Sequence, residues 1–351
     1  MTEKILLGTY TRGASEGIYE ANLNLDSKCI EDVKLLVAAG NPTYLTMNAA
    51  GTVIYSIVAE DGQGGIMSLV YEGNQWVRRT AILEDGPAPC YLSYDEKRQF
   101  IYTANYHAGK VQVYRTDETG DLDLLDTVQH QGSSIHENQK SPHAHFIQAA
   151  RNGEYILACD LGTDEIYTYE VSEAGKLTEK HRISVKPGTG PRHLIFHPYL
   201  DKAYIVGELS SEILVANYTA STGEFKIVDT VPTIPATFTD WNSGAAVRIS
   251  SNGKYLYVSN RGHNSIAAFK VVYDGALELI AYYPTEGETP RDFNLNETED
   301  FIIVGHQDSD YLTLFERDGK TGELSKIPGQ FSAPEVVCVQ FIPVDTVQES
   351  F

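Results

Sequence analysis

One strand pattern recurs along almost the whole chain, and this repeat limits the possible folds more than any other feature. Apolar, β-rich segments return as Val53–Ile57, Phe100–Ala104, Tyr155–Cys159, Lys202–Val206, Tyr255–Ser259 and Phe301–Gly305. Tyr55, Tyr102, Tyr204 and Tyr257 hold one repeat position, four residues before Ala59, Tyr106, Glu208 and Arg261. A third strand follows each segment, as in Val111–Tyr114 and Ile266–Phe269. G-x-L turns at Gly120, Gly175 and Gly322 then lead into a fourth. Helical periodicity is absent over any useful length.

Stepping back sixteen residues from Ala59, Tyr106, Leu161, Glu208, Arg261 and Gln307 gives Thr43, Cys90, His145, Arg192, Ala245 and Arg291. Four of these follow a proline (Pro42, Pro89, Pro191 and Pro290), and each marks the start of a first strand. Successive starts are 47, 55, 47, 53 and 46 residues apart, the length of a four-stranded propeller blade. A seventh repeat is split between the termini: Ile5–Gly8 and Gly17–Glu20 open it, and Pro334–Val339 completes it. The expected fold is therefore all-β: a seven-bladed β-propeller of four-stranded antiparallel blades, spanning residues 1–351 as a single domain. Pairing the N- and C-terminal segments in one blade closes the ring and leaves no long free edge.

In such a blade the start of strand one and the end of strand two lie at the same rim of the channel. That rule brings His145, Arg192 and Arg291 beside Glu208, Arg261 and Gln307. The equivalent positions elsewhere hold Thr43, Cys90, Ala245, Ala59 and Leu161, none of them charged. The asymmetry predicts a site at one channel mouth. Two long segments, His130–Lys140 and Pro232–Asn242, enter first strands from this rim, and long loops in compact folds are often functional. His143 competes with His145, because Pro142-His143 mimics Pro191-Arg192, whereas the repeat register selects His145.

Charge sets the context for this site. With 27 Lys and Arg against 48 Asp and Glu, the net charge is −21, which disfavours a nucleic-acid partner. An anionic ligand would need a local basic island within that field. No apolar run reaches membrane-spanning length, so no membrane partner is expected. No signal-peptide pattern opens the sequence, and the four cysteines are dispersed, which fits a cytoplasmic protein. The segment Gly13-Ala14-Ser15-Glu16-Gly17 matches G-x-S-x-G. It joins two predicted β-strands instead of the strand-to-helix turn that a nucleophile elbow requires.

The motifs Gly190-Pro191-Arg192-His193-Leu194-Ile195-Phe196-His197-Pro198 and Gly207-Glu208-Leu209 resemble those of the propeller-type 6-phosphogluconolactonases. So do Ser141-Pro142-His143-Ala144-His145, Ser259-Asn260-Arg261-Gly262-His263 and Thr289-Pro290-Arg291-Asp292-Phe293. The resemblance covers essentially the whole chain, and the family also contains carboxymuconate-lactonising enzymes. Gly207 is a departure, since the family motif often has Asn before the Glu. The resemblance implies a catalytic set of His145, Arg192, Glu208 and Arg261, the residues that the register also selects. It further implies hydrolysis of 6-phosphogluconolactone in the pentose phosphate pathway, with a small phosphorylated sugar lactone as partner. His143, His193, Arg291 and Gln307 are the expected substrate-binding residues. No cofactor or metal is expected, and the assembly expected is a monomer or homodimer. Arginines suit phosphate and a developing oxyanion, and either His145 or Glu208 is the base. A lactone-forming cycloisomerase and a non-catalytic binding propeller are the competing classes.

Overall fold

The computed structural model describes residues 1–342. Seven antiparallel sheets make up the described chain. Six contain four strands and one contains five. Blade 1 takes its innermost strand, Val336–Phe341, from the C-terminal end and three strands from the N-terminus. The closing register pairs Ile5 with Phe341, Leu7 with Val339 and Thr9 with Val336. Blades 2 to 7 follow in chain order, each running from channel to periphery. In blade 7 the outer strand is broken into Leu324–Lys326 and Phe331–Ser332. Pro328 lies in the gap, where a residue without an N–H cannot continue the ladder.

Burial explains the sequence texture. The second strands Phe100–Asn105, Lys202–Gly207, Tyr255–Arg261 and Phe301–His306 are buried at every position. Each is flanked in its sheet and covered on both faces by neighbouring blades, so apolar residues occur without alternation. Outer strands such as Leu122–Gln129 are largely exposed after their first residue.

The G-x-L turns also join neighbouring blades. Gly120, Gly175 and Gly322 take φ values of +80°, +80° and +76°, a region glycine enters without steric cost. The Tyr257 hydroxyl donates to the Gly322 carbonyl of the next blade at 2.9 Å. Tyr204 does the same to Gly275, in the equivalent turn of blade 6, at 2.9 Å. Tyr204 and Tyr257 are thus inter-blade ties, each worth about 1 kcal/mol net, whereas Tyr102 donates within its own blade, to Asp95 at 3.2 Å.

Candidate active site

The rim residues are aimed by a repeated local irregularity. In blades 4 to 7 and in blade 1 the ladder between the first two strands slips by one residue near the channel mouth. The extra residue is His145 in blade 4, Arg291 in blade 7 and Val337 in blade 1. In blade 5 the slip falls across Arg192 and His193, and in blade 6 across Ala245 and Ala246. A β-bulge leaves a residue outside the ladder and re-aims its side chain. That is how adjacent Arg192 and His193 both reach the channel, against the alternation of a regular strand.

The mouth opens into a cavity of about 470 Å³. With Val337 and Tyr10 added from the split blade, two register positions per blade ring the mouth. All of them line the cavity except Ala245, Leu161 and Gln307. His145, Arg192, His193, Glu208, Arg261 and Arg291 are among the lining residues. His143 and Gln307 stand behind this layer. The His143 ring stacks on Tyr106 at 4.2 Å and its Nδ1 lies 2.7 Å from the Tyr106 carbonyl oxygen. Gln307 accepts a 3.0 Å hydrogen bond from Arg291. Neither long segment, His130–Lys140 nor Pro232–Asn242, lines the cavity. The first is tied down where His130 meets Asp160 at 2.6 Å and Tyr169 at 2.8 Å, so its length supports blade 4 from behind the mouth.

Glu208 sits between two guanidiniums. Its Oε2 is 2.8 Å from Arg192 Nε and 2.9 Å from Arg261 Nη2. Neither contact has hydrogen-bond alignment, because Arg192 Nε and Glu208 Oε2 both lack a hydrogen-bond partner. The aligned bonds go elsewhere: Arg192 Nη1 donates to the Ala245 carbonyl at 2.7 Å, and Arg261 Nη2 donates to Ser243 Oγ at 2.7 Å. Burial opposes ionisation of Glu208, but Arg261, Arg192 and Arg291 together hold its carboxyl below the ordinary range. Burial and facing charge also push the Arg192 guanidinium down; an arginine nonetheless stays protonated at neutral pH.

His145 is 3% exposed, and its Nδ1 has no hydrogen-bond partner. Burial, then Arg192, Arg291 and Arg261, hold its imidazole well below the usual value. It is therefore neutral at physiological pH and has a lone pair to offer. His193 is depressed for similar reasons and sits 5.2 Å from His145, ring to ring. Cys90 lines the cavity as a thiol, because burial pushes it up to about 11. Tyr10, Arg12 and Tyr106 also line the cavity, and the reading from sequence passed over them. Tyr10 and Tyr106 hold the same register position as Glu208 and Arg261, so the repeat pointed to them even though they carry no charge.

A family model described as "Lactonase, 7-bladed beta-propeller" matches residues 4–341. A 6-phosphogluconolactonase of Bacillus subtilis is 42% identical over 340 residues, covering 96% of this chain and 97% of that protein. A crystal structure of a protein from Lactobacillus plantarum superposes with a TM-score of 0.95 at 42% identity, covering 98% and 100% of the two chains. The structure of a periplasmic gluconolactonase from Pseudomonas aeruginosa gives a TM-score of 0.91 at 27% identity, with coverage of 98% and 100%.

Proposed function

The chain belongs to the seven-bladed β-propeller lactonase family, and on that premise we propose that it hydrolyses 6-phospho-D-glucono-1,5-lactone to 6-phosphogluconate. The observation that carries this reading is the charge of the mouth. Four arginines (Arg12, Arg192, Arg261 and Arg291) line one cavity, with Glu208 between Arg192 and Arg261, in a protein of net charge −21. A dianionic phosphate ester supplies the counter-charge that Glu208 alone does not. The cavity volume of about 470 Å³ is also in the range of small-molecule sites.

In this reading neutral His145 accepts a proton from water as the water oxygen attacks the lactone carbonyl. The carbonyl π electrons move onto its oxygen, where Arg192 and Arg261 stabilise the negative charge from fixed positions. Collapse of the tetrahedral intermediate breaks the ring C–O bond, and the imidazolium returns the proton to the departing alkoxide. Glu208, held ionised by its arginines, offsets their charge while the Ala245 carbonyl and Ser243 hydroxyl fix their direction, and His145 is the base. Arg291 faces the phosphate and His193 packs beneath the sugar. His143 holds Tyr106 and Gln307 holds Arg291, so both act behind the binding surface. The reaction then belongs to the oxidative pentose phosphate pathway in the cytoplasm.

The test is hydrolysis of freshly prepared 6-phosphogluconolactone by wild type, R192A and H145A. Wild-type turnover that collapses in both variants is the expected result. A wild type inert toward this lactone but active on a carboxymuconolactone would move the protein to the lyase class.

A further inference from the structure

The Gly13–Gly17 segment has no nucleophilic role, yet it is built around a half-buried carboxylate anchor. Its loop, Tyr10 to Glu16, connects the first two strands of the chain and overhangs the cavity. Glu335, in the segment leading into the C-terminal strand, holds that loop. Its carboxylate accepts from the backbone N–H groups of Arg12 at 3.1 Å, Gly13 at 2.9 Å and Ser15 at 3.2 Å. Its carbonyl accepts from the Tyr10 N–H at 3.1 Å. Inside the loop, Ser15 Oγ meets Thr9 Oγ1 at 2.6 Å, with both residues buried. The hydroxyl of the G-x-S-x-G match is thereby committed to structure.

This anchoring fixes the direction of Arg12. Its guanidinium carbon lies 3.6 Å from the centre of the Tyr10 ring, and that of Arg291 lies 5.8 Å from the same centre. Both arginines line the cavity, and among the described residues neither forms a salt bridge to a carboxylate. Glu335 engages backbone N–H groups only, so the Arg12 guanidinium keeps its donors. Two unmatched guanidiniums on one aromatic ring, at the outer edge of the mouth, suit a tetrahedral dianion and have no counterpart for a neutral sugar hydroxyl.

We propose that Arg12 and Arg291, braced on Tyr10, form the subsite for the substrate's phosphate monoester, and that Glu335 is the positioning residue that holds Arg12 there. The inference rests on the lactonase reading above and adds the residues that select phosphorylated over unphosphorylated lactone. Joining the N- and C-terminal segments in blade 1 thus serves recognition as well as ring closure.

The experiment measures kcat/KM for 6-phosphogluconolactone and for glucono-1,5-lactone in wild type, R12M and E335Q, together with competitive inhibition by inorganic phosphate. A lost charge-assisted contact to phosphate amounts to about 10- to 100-fold. R12M is therefore expected to lower the ratio of the two kcat/KM values by roughly that factor, chiefly through KM for the phosphorylated lactone. Inhibition by inorganic phosphate weakens in parallel. E335Q shifts the ratio in the same direction by less, again through KM. A wild type that hydrolyses the phosphorylated lactone, with the ratio unchanged in R12M, would overturn the subsite and leave the lactonase reading intact. A wild type inert toward the phosphorylated lactone would remove the reading itself.

Discussion

The channel has two mouths of nearly equal size and very different character. Opposite the cavity of about 470 Å³ lies one of about 420 Å³. Tyr44 and His193 face both. The Arg248–Asp292 pair, 2.8 Å apart, completes the partition, with Asp292 on the first side and Arg248 on the second. On the second side each arginine is matched: Arg248 by Asp292, and Arg151 by Asp201 at 3.0 Å and the His197 carbonyl at 3.0 Å. Its other walls include Tyr91, Phe146 and Phe196. On the first side Arg12, Arg192, Arg261 and Arg291 share one glutamate, Glu208. A propeller supplies space at both ends by geometry alone; an excess of one charge sign turns one of them into a site.

Substitutions at the two ends should therefore fail in different ways. The largest effect is expected for Arg192→Ala, which removes a preorganised donor and lowers kcat by about 10³-fold. Full activity in that variant would erase the distinction between the mouths. Arg248→Met should act on folding, because it leaves Asp292 buried and unpaired. A stability loss of about 3 kcal/mol in denaturant melts is expected, with turnover retained by the folded fraction; selective loss of turnover without destabilisation would contradict the matched-charge reading.

His145→Ala should reduce kcat/KM by roughly 10²-fold, measured beside Arg192→Ala in the same lactone assay. The smallest expected effect is on pH dependence. A base with a depressed pKa stays unprotonated below the ordinary imidazole value, so the acid limb of kcat/KM should fall below about pH 6.5. Arg291 is one of the charges that depress His145. Arg291→Gln should therefore move that limb upward, toward the ordinary imidazole value. A limb that moves down, or stays put, would remove His145 as the titrating base.

Much of this is legible in the amino-acid sequence. The sixteen-residue step places His145, Arg192, Glu208, Arg261 and Arg291 at one mouth, while the ladders pair Pro191 with Gly207 and Pro290 with His306 and leave His145 and Arg291 outside. Reading only for charge passed over Tyr106, although it holds the same repeat position as Glu208. Arg12 was out of reach, since it follows no repeat and owes its direction to Glu335, 323 positions away in the chain. His143 lies two positions before the bulge residue His145, and Gln307 holds its register position but is engaged by Arg291, so both stand behind the lining.

Repeat length, the apolar second strands and the split last repeat determine a closed ring of seven blades, because each is a local pattern that only one arrangement can bury. They also determine which residues reach one rim. The tertiary structure alone decides that Glu208 lies between Arg192 and Arg261, that His145 keeps an unpartnered Nδ1, and that Tyr44, His193 and the Arg248–Asp292 pair divide the channel. Those facts depend on distances across the ring and between blades, which a repeat along the chain does not encode.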